Sequence, residues 1–304
     1  MIPQYIARRL GEALLTLVAV AFAAFVLLHL LPYNVAAIMA GPKASPAQVA
    51  EVAAAIGQNL PLPVQFMRWF AQLAAGGLSL ATAQALPTLE LLGLGSGLAL
   101  VLALGLVFIQ VRFPGSLLDR LLASVAYVLY TLPSFWVGFI LMYYFAIELL
   151  WLPAQGPSLN PPSQHSWWLY MILPVVTLAL TTISAWSTSV RAAVEEALQS
   201  DYVRTARAKG ASERVVFRRH VLRNALLPLI TTAGMSLPGL FNNVIAIEWL
   251  FTMQGLGSGL IDALITFDYG TAVDLVFVIG AVTVLGSLVA DLLYLLADPR
   301  IQYR

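Results

Sequence analysis

Apolar residues come in blocks along this chain. Runs of about twenty residues recur at about Leu10–Leu31, Leu89–Val111, Leu121–Leu150, Met171–Val190, Leu226–Phe251 and Val273–Leu296. A helix rising ~1.5 Å per residue crosses the ~30 Å hydrocarbon core of a bilayer in about twenty residues, so each run predicts a membrane span. The pattern therefore predicts an all-α integral membrane protein with six transmembrane helices. Pro133 interrupts the third run and Pro238-Gly239 the fifth. Such breaks survive at membrane depth only where protein or a water-filled cavity satisfies the freed backbone groups, which favours a packed or pathway-lining bundle. Gly93, Gly95 and Gly97 predict a close helix approach in the second run.

Between the first two runs the pattern changes. Ser45-Pro46 can open a short helix reaching Ala55, Gly57 can end it, and Pro61-Leu62-Pro63 separates it from a second helix over Val64–Leu73. The 32–86 stretch thus reads as a small cap within a single 1–304 domain. Trp69, Trp151, Trp167 and Trp168 fall near predicted span ends, where interfacial anchoring is the expectation.

Composition sharpens the class. The 304 residues are 60% hydrophobic and 10% charged, with a mean hydropathy of +0.84, whereas a soluble domain carries about a quarter charged residues. Fourteen of the sixteen Lys and Arg fit one sidedness: Arg8 and Arg9, Arg112 and Arg120, eight in 191–224, and Arg300 and Arg304. Lys and Arg are retained on the cytoplasmic side, so both termini are predicted cytoplasmic, with 32–86, 151–168 and 252–272 on the far side. Leu30-Leu31-Pro32 is no small-residue cleavage site, and the first run is read as a retained span.

Several chemistries lack their residues. The only lysines, Lys43 and Lys209, follow Pro42 and Ala208, so there is no Gly-Lys-Ser/Thr phosphate loop. Cysteine is absent, and His29, His165 and His220 are far apart, so neither thiolate nor metalloprotease chemistry is expected. No metal site and no nucleic-acid partner are expected. Glu12, Glu90, Glu148, Glu248, Asp274 and Asp291 fall near span ends, as hydrated ends or interhelical hydrogen bonds. Glu90, Glu148, Glu248 and Asp274 lie towards the far side, where they could bias an entrance towards cations. Asn242-Asn243 is the clearest polar pair within a span; its amides need partners, either on a neighbouring helix or along a pathway.

The longest predicted cytoplasmic connection, 191–224, holds eight of the sixteen basic residues. Within it, Asp201-Tyr202-Val203-Arg204-Thr205-Ala206-Arg207-Ala208-Lys209-Gly210 reads as a short helix stopped by glycine, and Ser212 can cap a second helix running towards Pro228. That is the form of a docking surface.

Those residues resemble the membrane permease subunits of peptide/nickel-type ABC importers, of the kind represented by the first membrane subunit of the dipeptide permease. Asp201 to Gly210 is similar to the family stretch D-Y-V-R-T-A-R-A-K-G, followed here by Arg218-Arg219-His220 and Arg223-Asn224-Ala225-Leu226-Leu227-Pro228. Arg204-Thr205-Ala206 occupies the first places of the wider class's Glu-Ala-Ala-x-x-x-Gly loop. Further similarity lies in Leu60 to Phe66, Leu132-Pro133-Ser134-Phe135-Trp136, Glu248 with Gly255-Leu256-Gly257, Asp268-Tyr269 and Asp298-Pro299-Arg300-Ile301. The departures are Tyr33-Asn34-Val35, Gly76-Gly77-Leu78-Ser79 and Asn242-Asn243, all on the far half. The resemblance implies a type I importer permease fold in the inner membrane and half of a translocation pathway. It also implies a second permease subunit, two ATPase subunits carrying ATP and Mg, and an extracytoplasmic binding protein, with no cofactor bound by this chain. Asp201, Tyr202, Arg204, Thr205, Ala206, Arg207, Ala208, Lys209 and Gly210 would couple to the ATPase, Ala206 and Ala208 permitting close approach. Asn242, Asn243 and Glu248 are the pathway candidates. Peptides are the leading cargo, with nickel or a metal chelate next. An ion-gradient-driven secondary transporter, and more distantly an intramembrane hydrolase, are the readings from other classes.

Overall fold

The computed structural model describes residues 2–30, 34–156 and 166–297. Tyr33, His165, the arginines at 300 and 304 and the Asp298–Ile301 motif lie outside them, as do the side chains of Arg223, Asn224 and Asp291. The described residues form thirteen α-helices and no strand: α1 (Ile2–His29), α2 (Val35–Ala40), α3 (Pro46–Ile56), α4 (Leu62–Ala74), α5 (Ser79–Arg112), α6 (Leu117–Thr131), α7 (Ser134–Met142), α8 (Trp167–Gln199), α9 (Asp201–Ala208), α10 (Glu213–Val215), α11 (Leu222–Leu250), α12 (Leu256–Ile265) and α13 (Tyr269–Ala297). Two π-helical turns, Tyr143–Glu148 and Val216–Val221, follow α7 and α10.

Four helical stretches are long and apolar enough to cross a membrane: Arg8–His29, Ala81–Arg112, Trp167–Gln199 and Tyr269–Ala290. The third predicted run is instead a pair, Leu117–Thr131 and Ser134–Glu148, bent by 106°. The break is at Pro133, whose ring cannot continue α6 and whose fixed φ suits the start of α7. The pair counts as a fifth span if taken as one. The fifth predicted run lies on α11, 29 residues long. Here the expected interruption does not occur: Pro228 and Pro238 both lie inside the helix.

The chain divides into two compact units, one of residues 1–86 and 254–284, the other of 87–253 and 285–304. In unit 1 the cap helices form as their local signals dictate. Ser45 and Gln48 make a reciprocal capping box at the start of α3, with Pro46 in the first turn. Gly57 takes φ +74° and ends it, the next amide returning to the Ala53 carbonyl at 2.9 Å. Trp69, expected at a membrane interface, is instead 9% exposed in a core with Ala21, Phe25 and Val273. Its Nε1–H donates to Asp274 Oδ1 at 2.7 Å, which satisfies the one polar atom of a buried indole.

Unit 2 is built around α8, which packs against α6, α7 and α11. α8 buries a stripe of hydroxyls that would be expensive in hydrocarbon unless bonded. They bond to their own helix: Thr177 to the Leu173 carbonyl (2.7 Å), Thr181 to Thr177 (3.0 Å), Thr182 to Leu178 (2.7 Å) and Ser187 to Ser184 (3.1 Å), and the exposed Thr188 likewise bonds to Ser184 (2.8 Å). Ser189 and Thr232 share a 2.8 Å bond between α8 and α11, and Trp186 Nε1 donates to Ser236 Oγ at 3.3 Å. Of the three glycines expected to admit a neighbour in α5, only Gly95 does. A Cβ there would lie 2.6 Å from Leu178, whereas Gly93 and Gly97 face open space.

Candidate coupling loop and pathway residues

α8 ends at Gln199, and Ser200 turns the chain into extended backbone (φ −72°, ψ 152°) before α9 begins. Eight residues is too short for a helix to be stable alone, so α9 depends on its packing. Val203 is fully buried and Ala206 is 8% exposed, and α9 is seated against α8 and the Val216–Val221 turn. Asp201, Tyr202, Arg204, Thr205, Arg207, Ala208, Lys209 and Gly210 are exposed. This corrects one expectation: the close approach that Ala206 permits is made within this chain. The face free for a partner carries Tyr202, Arg204, Thr205, Ala208 and Lys209.

The exit is a glycine-terminated turn, as expected. Gly210 has φ +81°, its amide reaches the Arg207 carbonyl at 2.9 Å, and the Ala211 amide reaches Ala206 at 3.2 Å. Across this turn the Arg207 guanidinium makes two hydrogen bonds to Glu213, at 2.7 and 3.0 Å. That pairing holds the Glu213 carboxyl below its usual range and raises Arg207. Ser212 precedes α10 with extended backbone, but its side chain makes no capping bond. The second helix is also not plain α: three residues of α10 pass through the π turn into α11, which continues beyond Pro228. Within the π turn Phe217 stacks edge-on against Phe108 of α5, centroids 5.8 Å apart. No sequence period marks that contact.

The pathway candidates fare differently from one another. Asn242 is exposed and Asn243 half-buried on α11, and neither amide has a hydrogen-bond partner among the described residues. Their expected helix-to-helix bond is therefore not made within them. Glu248 is not at an open entrance: it is fully buried, and Thr88, also fully buried, donates its hydroxyl to Glu248 Oε1 at 2.6 Å. Sequence reasoning missed Thr88, whose only signal is a hydroxyl beside Pro87 in an apolar run. It also missed Asp119, 4% exposed, which accepts two bonds from Arg191 at 2.6 and 3.2 Å. Among the described residues no three His, Asp or Glu side chains are grouped to hold a metal.

Residues 95–303 match the family described as the binding-protein-dependent transport system inner membrane component, and residues 1–90 match its N-terminal component. The chain belongs to this family and is a multi-pass inner-membrane permease subunit of an ABC importer. It is 36% identical to the "Probable peptide ABC transporter permease protein y4tP" of Sinorhizobium fredii, over 98% of this chain and 99% of that one. The oligopeptide transport system permease protein AppB of Bacillus subtilis is 30% identical, over 98% and 99%. The glutathione transport system permease protein GsiC of Salmonella paratyphi A is 32% identical, over 99% of each. The crystal structure of an amino acid ABC transporter with histidines superposes with a TM-score of 0.53 at 16% identity, covering 77% of this chain and 98% of that one, so the two share a fold. Membership of a binding-protein-dependent system implies ATPase and substrate-binding partners.

Proposed function

We propose that this permease subunit imports short peptides. Residues 1–304 then act as one permease domain with six spans and both termini cytoplasmic, 32–86 forming the outer cap and 191–224 the coupling loop. A homologous second permease subunit completes the pathway, two ATPase subunits bind ATP and Mg, and a binding protein delivers cargo. The observation that carries the coupling role is α9 itself. One face, Val203 and Ala206, is buried against its own chain, while Tyr202, Arg204 and Lys209 stand exposed in a short helix ended by Gly210. Basic side chains so presented suit carboxylates on a partner. The peptide assignment is supported by relatives matched along their full length and named for peptide, oligopeptide and glutathione, itself a tripeptide. Asn242 and Asn243, polar and without a hydrogen-bond partner among the described residues, are the residues offered to the pathway.

The test is reconstitution of the complete complex in liposomes. Uptake of a labelled dipeptide that requires ATP and binding protein supports the reading. Uptake of nickel instead, or uptake driven by a proton gradient without ATP, would overturn it.

A further inference from the structure

Unit 1 contains a cavity of about 700 Å³ between the end of α1, the α3–α4 turn, α4 and the start of α13. That volume is in the range of small-molecule sites, about 300–1,000 Å³.

Arg68 lines it from α4, its guanidinium lying over the α3–α4 turn so that a Cβ on Gly57 would sit 3.1 Å from Nη1. It has no hydrogen bond or ion pair among the described residues. It is also one of only two basic residues, with Lys43, outside the sidedness that governs the other fourteen of sixteen.

Asp268 lines the same cavity. Its Oδ1 accepts from the Thr271 amide at 3.1 Å and its Oδ2 from the Thr271 hydroxyl at 2.6 Å, capping α13. An ionised carboxylate has about four acceptor positions, so these two bonds leave others for a ligand. No cation pairs with it among the described residues.

The same cavity is lined by apolar residues including Ile38, Met39 and Ile56, which are 41%, 64% and 43% exposed. Gln65 donates to the carbonyls of Gln58 (3.2 Å) and Leu60 (2.7 Å) and meets His29 Nε2 at 3.1 Å.

An anion alone would use Arg68 and leave Asp268; a cation alone would do the reverse; and neither needs the apolar wall. We infer that the cavity binds a short peptide as a zwitterion, its carboxylate at Arg68, its ammonium at Asp268 and an apolar side chain against Ile38, Met39 and Ile56. The inference rests on the peptide reading and gives unit 1 a cargo site separate from Asn242 and Asn243. A phosphatidylethanolamine headgroup has the same paired charges, and the test separates the two.

The experiment is equilibrium dialysis of labelled leucyl-leucine against the complete transporter complex, without binding protein, in nanodiscs free of phosphatidylethanolamine. Saturable binding is expected, weakened about tenfold or more by Arg68→Gln and by Asp268→Asn, the change that loss of a charged hydrogen bond produces. Asn still caps α13, so the fold is kept. The C-terminal amide of the dipeptide should be indifferent to Arg68→Gln, and the N-acetyl form to Asp268→Asn. No saturable binding to the wild type, or binding to either variant as tight as to the wild type, overturns the site. Loss of dipeptide binding when phosphatidylethanolamine is added assigns the cavity to lipid and overturns it as well. ATP-driven uptake of the same dipeptide, run in parallel, reports on the underlying reading: uptake with no charge-dependent binding leaves that reading standing and removes only the cavity.

Discussion

Asp119 and Arg191, 72 positions apart, are joined by two hydrogen bonds of 2.6 and 3.2 Å between carboxylate and guanidinium. Asp119 Oδ2 also accepts from the Gly115 amide at 2.9 Å, and Arg191 Nε donates to Glu195 at 2.8 Å. The pair thus fixes the α5–α6 turn to the last part of α8, from which α9 departs.

Asp119 is 4% exposed and the Arg191 side chain 31%, so removing Asp119 leaves a partly enclosed guanidinium with Glu195 as its remaining partner. Asp119→Ala should cost on the order of 1–3 kcal/mol. Thermal unfolding of the solubilised complex should fall by several degrees, at about 2–4 °C per kcal/mol. The double variant Asp119→Leu with Arg191→Met should recover much of the loss; a single variant as stable as wild type would contradict the pairing.

Gly210 is open on all sides, with nothing near a Cβ, so its requirement is purely backbone. At φ +81°, Gly210→Val costs on the order of 1–2 kcal/mol and redirects the chain into α10. Insertion and assembly should be kept while ATP hydrolysis no longer responds to loaded binding protein. Full stimulation in the assembled variant would remove the 201–210 segment as the coupling element.

Ala206→Arg tests a different surface. Its side chain is 8% exposed within the chain, so bulk there should unseat α9 before any partner is met. Limited proteolysis of the subunit alone should show new cleavage around 200–212, whereas Tyr202→Ala, on the exposed face, should leave the fragment pattern unchanged.

The Arg207–Glu213 bridge sets a pH window. A carboxyl held below its usual range contributes stability that is present above its unfolded value and lost as pH falls through the folded one. The protection factors of the amides of 209–212, with the intrinsic pH dependence of exchange removed, should therefore be flat between about pH 6 and 8 and fall only below about pH 4. Glu213→Gln should abolish that pH dependence; a transition near neutrality would rule the bridge out as its source.

Sidedness can be read directly. Lys43→Cys and Ser212→Cys are both exposed positions, and charge placement puts them on opposite faces of the membrane. An impermeant thiol reagent applied to intact cells should label the first only.

What was legible in the sequence was local. The capping box at Ser45, the glycine stops at Gly57 and Gly210 and the apolar runs of α1, α5, α8 and α13 each act through neighbours in the chain, and each forms as read. What was not legible depends on distant partners. Trp69 looks interfacial until Asp274, 205 residues on, accepts its N–H. Glu248 looks like a hydrated helix end until Thr88, 160 residues back, donates to it. Proline shows the same limit: Pro133 breaks a helix and Pro238 does not, a difference the residue type alone does not carry. A small residue in a motif does not say which surface it is small for, and Ala206, 8% exposed, is packed against its own chain.

The hydroxyls of α8 have a consequence for biogenesis. Five Ser and Thr side chains between 177 and 188 spend their donors on carbonyls three or four residues earlier in the same helix. A nascent α8 therefore leaves the insertion machinery with those donors already satisfied and can wait in lipid as a lone span. Its bonds to α11, through Ser189 and Trp186, can form when that later segment is synthesised. Insertion of α8 and its docking onto α11 are thus separable steps.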